Sequence, residues 1–114
     1  DKKTSGTRFY IHGRNIASAV LFLIKNGKQG EKYNISGERE VSNLEMAQMI
    51  AKFMNKELIY EMVDFHSTRP GHDLRYGLDG SKLFDMGFSL PLNFEESLQK
   101  TVNWTLNNKK WLEE

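Results

Sequence analysis

Cysteine is absent from this chain of 114 residues, which excludes disulfides and thiolate metal sites and leans weakly towards a cytoplasmic setting. Net charge is nearly absent as well: 16 Lys and Arg against 15 Asp and Glu leave +1. That balance supplies no basic field, so no nucleic-acid partner is expected. Long hydrophobic runs are missing too. The longest, Ile16 to Ile24, is too short to span a bilayer, so no membrane partner is expected, and no signal peptide precedes it. The sequence shows no internal repeat, linker or low-complexity stretch. What is present, 39% hydrophobic and 27% charged residues, reads as one soluble globular domain with a modest core. The chain opens on Asp1 and enters a strand-like run within ten residues, as a piece of a longer protein would.

Arg8 to His12 is a short aromatic and β-branched run, which predicts a strand. Gly13-Arg14-Asn15 then leads into a helix with Ile16, Ala19, Val20, Leu23 and Ile24 on one face and Gly27 as its stop. Leu21 and Phe22 widen that stripe, so apolar neighbours are expected on more than one side. Glu31 to Ser36 predicts a second strand, ended by Gly37. Ser42-Asn43-Leu44-Glu45 has the form of a capping box and opens a helix to about Asn55, with Leu44, Ala47, Ile50, Ala51 and Met54 on one face. Glu57 to Phe65 predicts a third strand. Asp79 or Ser81 caps a short helix, Lys82 to Met86, stopped by Gly87, and Pro91 marks a turn. Asn93, followed by Glu95 and Glu96, starts a last helix running to about Asn107, with Phe94, Leu98, Thr101, Val102 and Thr105 on one face. Trp104 and Trp111 flank that face and are expected to pack inward. Strands alternating with helices give an α/β or α+β class.

The most distinctive stretch is Thr68-Arg69-Pro70-Gly71-His72-Asp73-Leu74-Arg75-Tyr76, continued by Leu78-Asp79. Pro70 pushes Arg69 towards an extended conformation, and Gly71 can take a turn with positive φ. The result is a stiff bend that fans polar side chains outward. Arginine suits such a bend where the ligand carries phosphate, because its planar fork donates two parallel charge-assisted hydrogen bonds.

The succession F-Y-I-H, G-E-K-Y-N-I-S-G, S-N-L-E-M, R-P-G-H-D-L-R-Y-G-L-D, M-G-F-S-L-P and F-E-E-S-L-Q-K-T-V-N-W resembles the C-terminal part of the nucleotide-sugar 4,6-dehydratases. The resemblance is closest to their dTDP-glucose branch, within the extended short-chain dehydrogenase/reductase family, and runs from about Arg8 to Leu112. It implies an NAD-dependent parent enzyme, homodimeric and cytoplasmic, that binds NAD on an N-terminal Rossmann domain and a dTDP- or UDP-hexose on a C-terminal lobe. It also implies two parts here: 1–36 as the closing elements of the Rossmann sheet, and 37–114 as the nucleotide-sugar-binding lobe. The family's glycine-rich dinucleotide loop and Tyr-x-x-x-Lys pair do not occur, so no catalytic residue is assigned and this piece alone is expected to be inactive and to bind no NAD.

By position, the resemblance makes Arg8, Asn43, Arg69 and His72 the substrate-binding residues, around the diphosphate and ribose. Two arginines and an amide at a helix start are what a diphosphate needs. Plain structural alternatives stand beside each: Arg8 as a solvated strand-end charge, Asn43 as part of a helix start, Arg69 as a solvated charge on an ordinary surface turn, His72 as a partner of a carbonyl within the turn. Pro70, Gly71, Asp73, Arg75, Tyr76 and Asp79 read as loop structure, with an internal ion pair and a loop anchor. The sequence departs from the family pattern at Thr68 and at Gly13-Arg14-Asn15, where acids are usual. A metal site on His66, His72 and Asp73 fits no strong ligand spacing, so no metal is expected. A stand-alone interaction module using the first helix and the two tryptophans is the other competing reading.

Overall fold

A computed structural model describes residues 5–64, 67 and 69–113. Its chain order is β1 (Thr7–Arg8), α1 (Gly13–Asn26), β2 (Val41–Ser42), α2 (Asn43–Phe53), β3 (Arg75–Tyr76), α3 (Ser81–Asp85) and α4 (Phe94–Asn107), followed by a 3-10 turn at Lys109–Trp111.

Local chemistry fixes the helices. His12 caps α1, its Nδ1 accepting from the Arg14 amide at 3.0 Å. The Gly27 amide closes α1 on the Leu23 carbonyl at 2.7 Å, with Gly27 extended (φ −72°) and not left-handed. Ser42 caps α2 through the Glu45 amide at 3.0 Å, but the capping box is not reciprocal, because the Glu45 carboxylate pairs with Arg39. α2 stops at Phe53, with Asn55 taking a positive φ of 54° two residues on. Asn93 caps α4 by accepting from Glu96 N at 2.9 Å. Asp79 accepts from Ser81 N at 2.9 Å just ahead of α3, and Gly87 ends that turn at φ +98°.

The strands differ from the sequence expectation. Phe9–His12, Glu31–Ser36 and the described residues 57–64 adopt no regular strand; Phe65 lies outside the described residues. A β-prone run becomes a strand only where its backbone meets a ladder, and among the described residues of these runs only Arg8 does so, paired together with the preceding Thr7. The three two-residue strands form one mixed sheet in the order β2-β1-β3. β1 runs antiparallel to β2 (Thr7 opposite Ser42, Arg8 opposite Val41) and parallel to β3 (Thr7 with Arg75, Arg8 with Tyr76).

Ala19 of α1, Leu83 of α3 and Phe88 form the buried core, packed by Phe22, Leu23, Ile35 and Leu90. The Phe22 and Phe88 rings meet at 5.4 Å. Val41 is buried in β2, and α2 packs on α4. The outer stripe of α1 has no such cover: Ile16, Val20, Leu21 and Ile24 are exposed, the last by 74%. Trp104 and Trp111 do not pack inward either. They lie against each other at 6.4 Å, 52% and 67% exposed, because the buried stripe of α4 runs through Phe94, Ser97 and Val102.

Candidate functional site

β1 is the middle strand, so Arg8 stands between the start of α2 on one side and β3 on the other. Its guanidinium lies 4.5 Å over the Tyr76 ring, and Nη1 reaches Asn43 Oδ1 at 3.4 Å. That same oxygen accepts from the Tyr10 hydroxyl at 2.7 Å. Asn43 is fixed from below as well, its amide donating to the Gly6 carbonyl at 2.8 Å. His72 sets its ring edge-on to Tyr76 at 6.0 Å, with Nδ1 3.3 Å from the Asp73 carbonyl oxygen. Arg69 is carried by the exposed turn three residues before His72, where Gly71 has φ +83°.

One carboxylate ties the sheet together. Glu40 accepts from Arg75 Nε at 2.7 Å and Nη2 at 3.0 Å, and from Thr7 Oγ1 at 2.5 Å. Arg75, then Thr7, holds the Glu40 carboxyl below its ordinary pKa, and Glu40 in turn raises Arg75. The ion pair expected inside the loop is therefore made across the chain: Arg75 takes Glu40 and not Asp73, because pairing of β3 with β1 brings it over the residue preceding β2. Asp79 is held below its usual pKa by the Ser81 amide, and its carbonyl accepts from Asn34 Nδ2 at 3.0 Å.

Beside Arg8 and Tyr76 opens a cleft of about 410 Å³, which those two residues line together with Phe9, Ile35, Ser36, Gly77 and Leu78. A cation held over an aromatic ring at a partly apolar cleft, with a side-chain amide and a histidine in contact with that pair, can hold an anionic group on one side and a flat or apolar moiety on the other. Among the described residues no three acidic or histidine side chains gather as a metal site, and His66 lies outside them. No described helix is long and apolar enough to cross a membrane.

The sequence reading singled out Arg8, Asn43, Arg69 and His72. The fold brings Arg8 against both Asn43 and Tyr76 and sets His72 against Tyr76, while Arg69 stands on the turn leading to His72. The sequence reading missed Tyr10 as the partner of Asn43, and Glu40 and Thr7 as partners of the loop. Those contacts join residues 33 to 35 apart, and no local spacing signals them.

No protein-family model matches the chain. It is 33% identical over 114 residues to dTDP-glucose 4,6-dehydratase of Escherichia coli, a match covering 91% of this chain and 32% of that protein. The enzyme of the same name from Neisseria meningitidis serogroup B is 39% identical over 116 residues, with 91% and 32% covered. The crystal structure of dTDP-glucose 4,6-dehydratase from Bacillus anthracis in complex with NAD superposes with a TM-score of 0.80 at 29% identity, over 96% of this chain and 34% of that one. The chain spans about a third of the length of the curated relatives it matches. In sequence and in fold it is thus related, over that third, to the dTDP-glucose 4,6-dehydratases of the extended short-chain dehydrogenase/reductase type.

Proposed function

We propose that this chain is the nucleotide-sugar-binding part of an NAD-dependent dTDP-glucose 4,6-dehydratase, a cytoplasmic, homodimeric enzyme of carbohydrate biosynthesis. The observation that carries the reading is the meeting of Arg8 with Asn43, 35 residues away, and with Tyr76, which also meets His72, where Arg8 and Tyr76 line one cleft. In this reading Arg8 and Arg69 grip the diphosphate, Asn43 and His72 donate to phosphate or ribose, and the cleft beside them takes the nucleoside. Residues 1–36 close the parent's Rossmann sheet, and 37–114 form the sugar-nucleotide lobe. The exposed face of α1 at Val20, Leu21 and Ile24 supports that division, since it offers an apolar surface to the remainder of the parent.

NAD supplies hydride chemistry in such a parent. This chain does not fit that cofactor: no glycine-rich loop joins a strand to a helix, and no Tyr-x-x-x-Lys pair occurs. The present residues therefore bind and orient substrate, while NAD and the acid–base groups belong to the rest of the parent. The chain alone is inactive and binds no NAD.

Removing a ligand-facing charged donor costs on the order of 2 kcal/mol. In the full-length parent, Arg69→Ala is expected to raise the KM for the sugar nucleotide about tenfold or more. His72→Gln is expected to weaken binding and leave turnover at saturation largely intact. Unchanged affinity in the first variant, or a collapse of kcat with normal KM in the second, overturns these roles.

A further inference from the structure

A second cavity, of about 170 Å³, lies between the chain leaving β1 and the packed helices α2 and α4. Tyr10, Met46, Phe94, Ser97 and Leu98 line it. Other polar side chains in its wall have partners: His12 Nδ1 accepts from Arg14 N. Asn15 accepts from Leu92 N and donates to the Leu92 carbonyl, Glu38 accepts from Phe94 N, and Thr101 donates to the Ser97 carbonyl. Ser97 differs. It is 7% exposed, and its Oγ has no hydrogen-bond partner among the described residues.

A buried hydroxyl without a partner costs stability that a ligand group can recover. An engineered apolar cavity of about 150 Å³ is known to take benzene. We propose that this cavity is a binding site for a small neutral ligand with a flat apolar body and one hydrogen-bonding group seated on Ser97 Oγ. Tyr10 connects it to the first site, because its ring lines the cavity while its hydroxyl holds Asn43 at 2.7 Å. An occupant therefore touches the residue that positions Asn43, and its effect is read there whether or not the first site takes a nucleotide sugar.

Phenol is the probe, with toluene as a control lacking the hydroxyl, titrated into the isotope-labelled 114-residue chain and followed by NMR. Saturable shifts are expected at Tyr10, Ser97 and Leu98, together with a shift of the Asn43 side-chain amide. Ser97→Ala should weaken phenol about threefold or more while leaving toluene within about twofold. Leu98→Phe, which fills the space, should abolish both. Tyr10→Phe should retain phenol and lose its effect at Asn43. The absence of saturable shifts at the cavity residues overturns the site, as does an equal loss of phenol and toluene in Ser97→Ala. An Asn43 shift that survives Tyr10→Phe overturns the connection.

Discussion

Replacing Arg8 separates a binding role from a structural one. The side chain is held at two points: the guanidinium over Tyr76 at 4.5 Å and the 3.4 Å approach to Asn43. A partly exposed cation–π contact contributes about 0.5–1 kcal/mol, and a hydrogen bond at that length adds little. Arg8→Ala should therefore lower folding stability by about 1 kcal/mol or less. If the guanidinium faces a diphosphate, the same change costs about 2 kcal/mol in binding, roughly a 30-fold loss of affinity. Arg8→Lys keeps the charge but not the planar fork and should fall between the two. Tyr76→Leu keeps an apolar wall, removes the ring beneath the guanidinium, and should cost stability similarly but affinity only a few-fold. Urea unfolding gives the first quantity, and calorimetric titration with dTDP the second. An Arg8→Ala variant whose dTDP affinity stays within about threefold would falsify the binding role; one that unfolds the chain makes Arg8 a strut of the sheet.

Three further outcomes follow from the packing and the charges. Leu83, 2% exposed against Ala19 and Phe88, should lose about 2–4 kcal/mol on truncation to Ala, seen as a lower urea midpoint at unchanged slope; a loss below about 1 kcal/mol would place the core elsewhere. Glu40 has a folded pKa below its ordinary value of 4.5, so its contribution is present above that pH and is lost as pH falls through the depressed value. Glu40→Gln should therefore flatten the acid limb of the stability curve, and an unchanged limb would show that Arg75 and Thr7 do not hold the carboxylate in solution. Leu21 and Ile24, 60% and 74% exposed, should make the isolated chain associate as concentration rises, an effect reduced by Leu21→Glu and measured by sedimentation; a clean monomer at all concentrations would contradict this.

The helices were legible because their signals are local. Ser42 and Asn93 cap through amides three residues away, and Gly87 stops α3 with a φ that side chains avoid. The strands were not. Tyr10, Ile11 and Ile35 have the residue types of a sheet, but pairing depends on a partner distant in sequence, and only Thr7–Arg8 finds one on each side. The packing faces were legible in part. Of the two residues that widen the α1 stripe and were expected to meet apolar neighbours, Phe22 packs on the core and Leu21 is exposed. Pro70 and Gly71 announced a turn in the Arg69–Tyr76 loop, and Gly71 takes φ +83° there, yet the partner of Arg75 is set by strand order, which the sequence does not spell out.

The most direct test of a nucleotide-sugar lobe is a titration of dTDP-glucose into the labelled chain, with UDP-glucose and zinc as parallel arms. Saturable NMR shifts are expected at Arg8, Asn43, Arg69 and His72 with the nucleotide sugars and not with zinc. Contradiction would be the absence of saturable shifts at these four residues, or shifts confined to another surface such as Trp104 and Trp111.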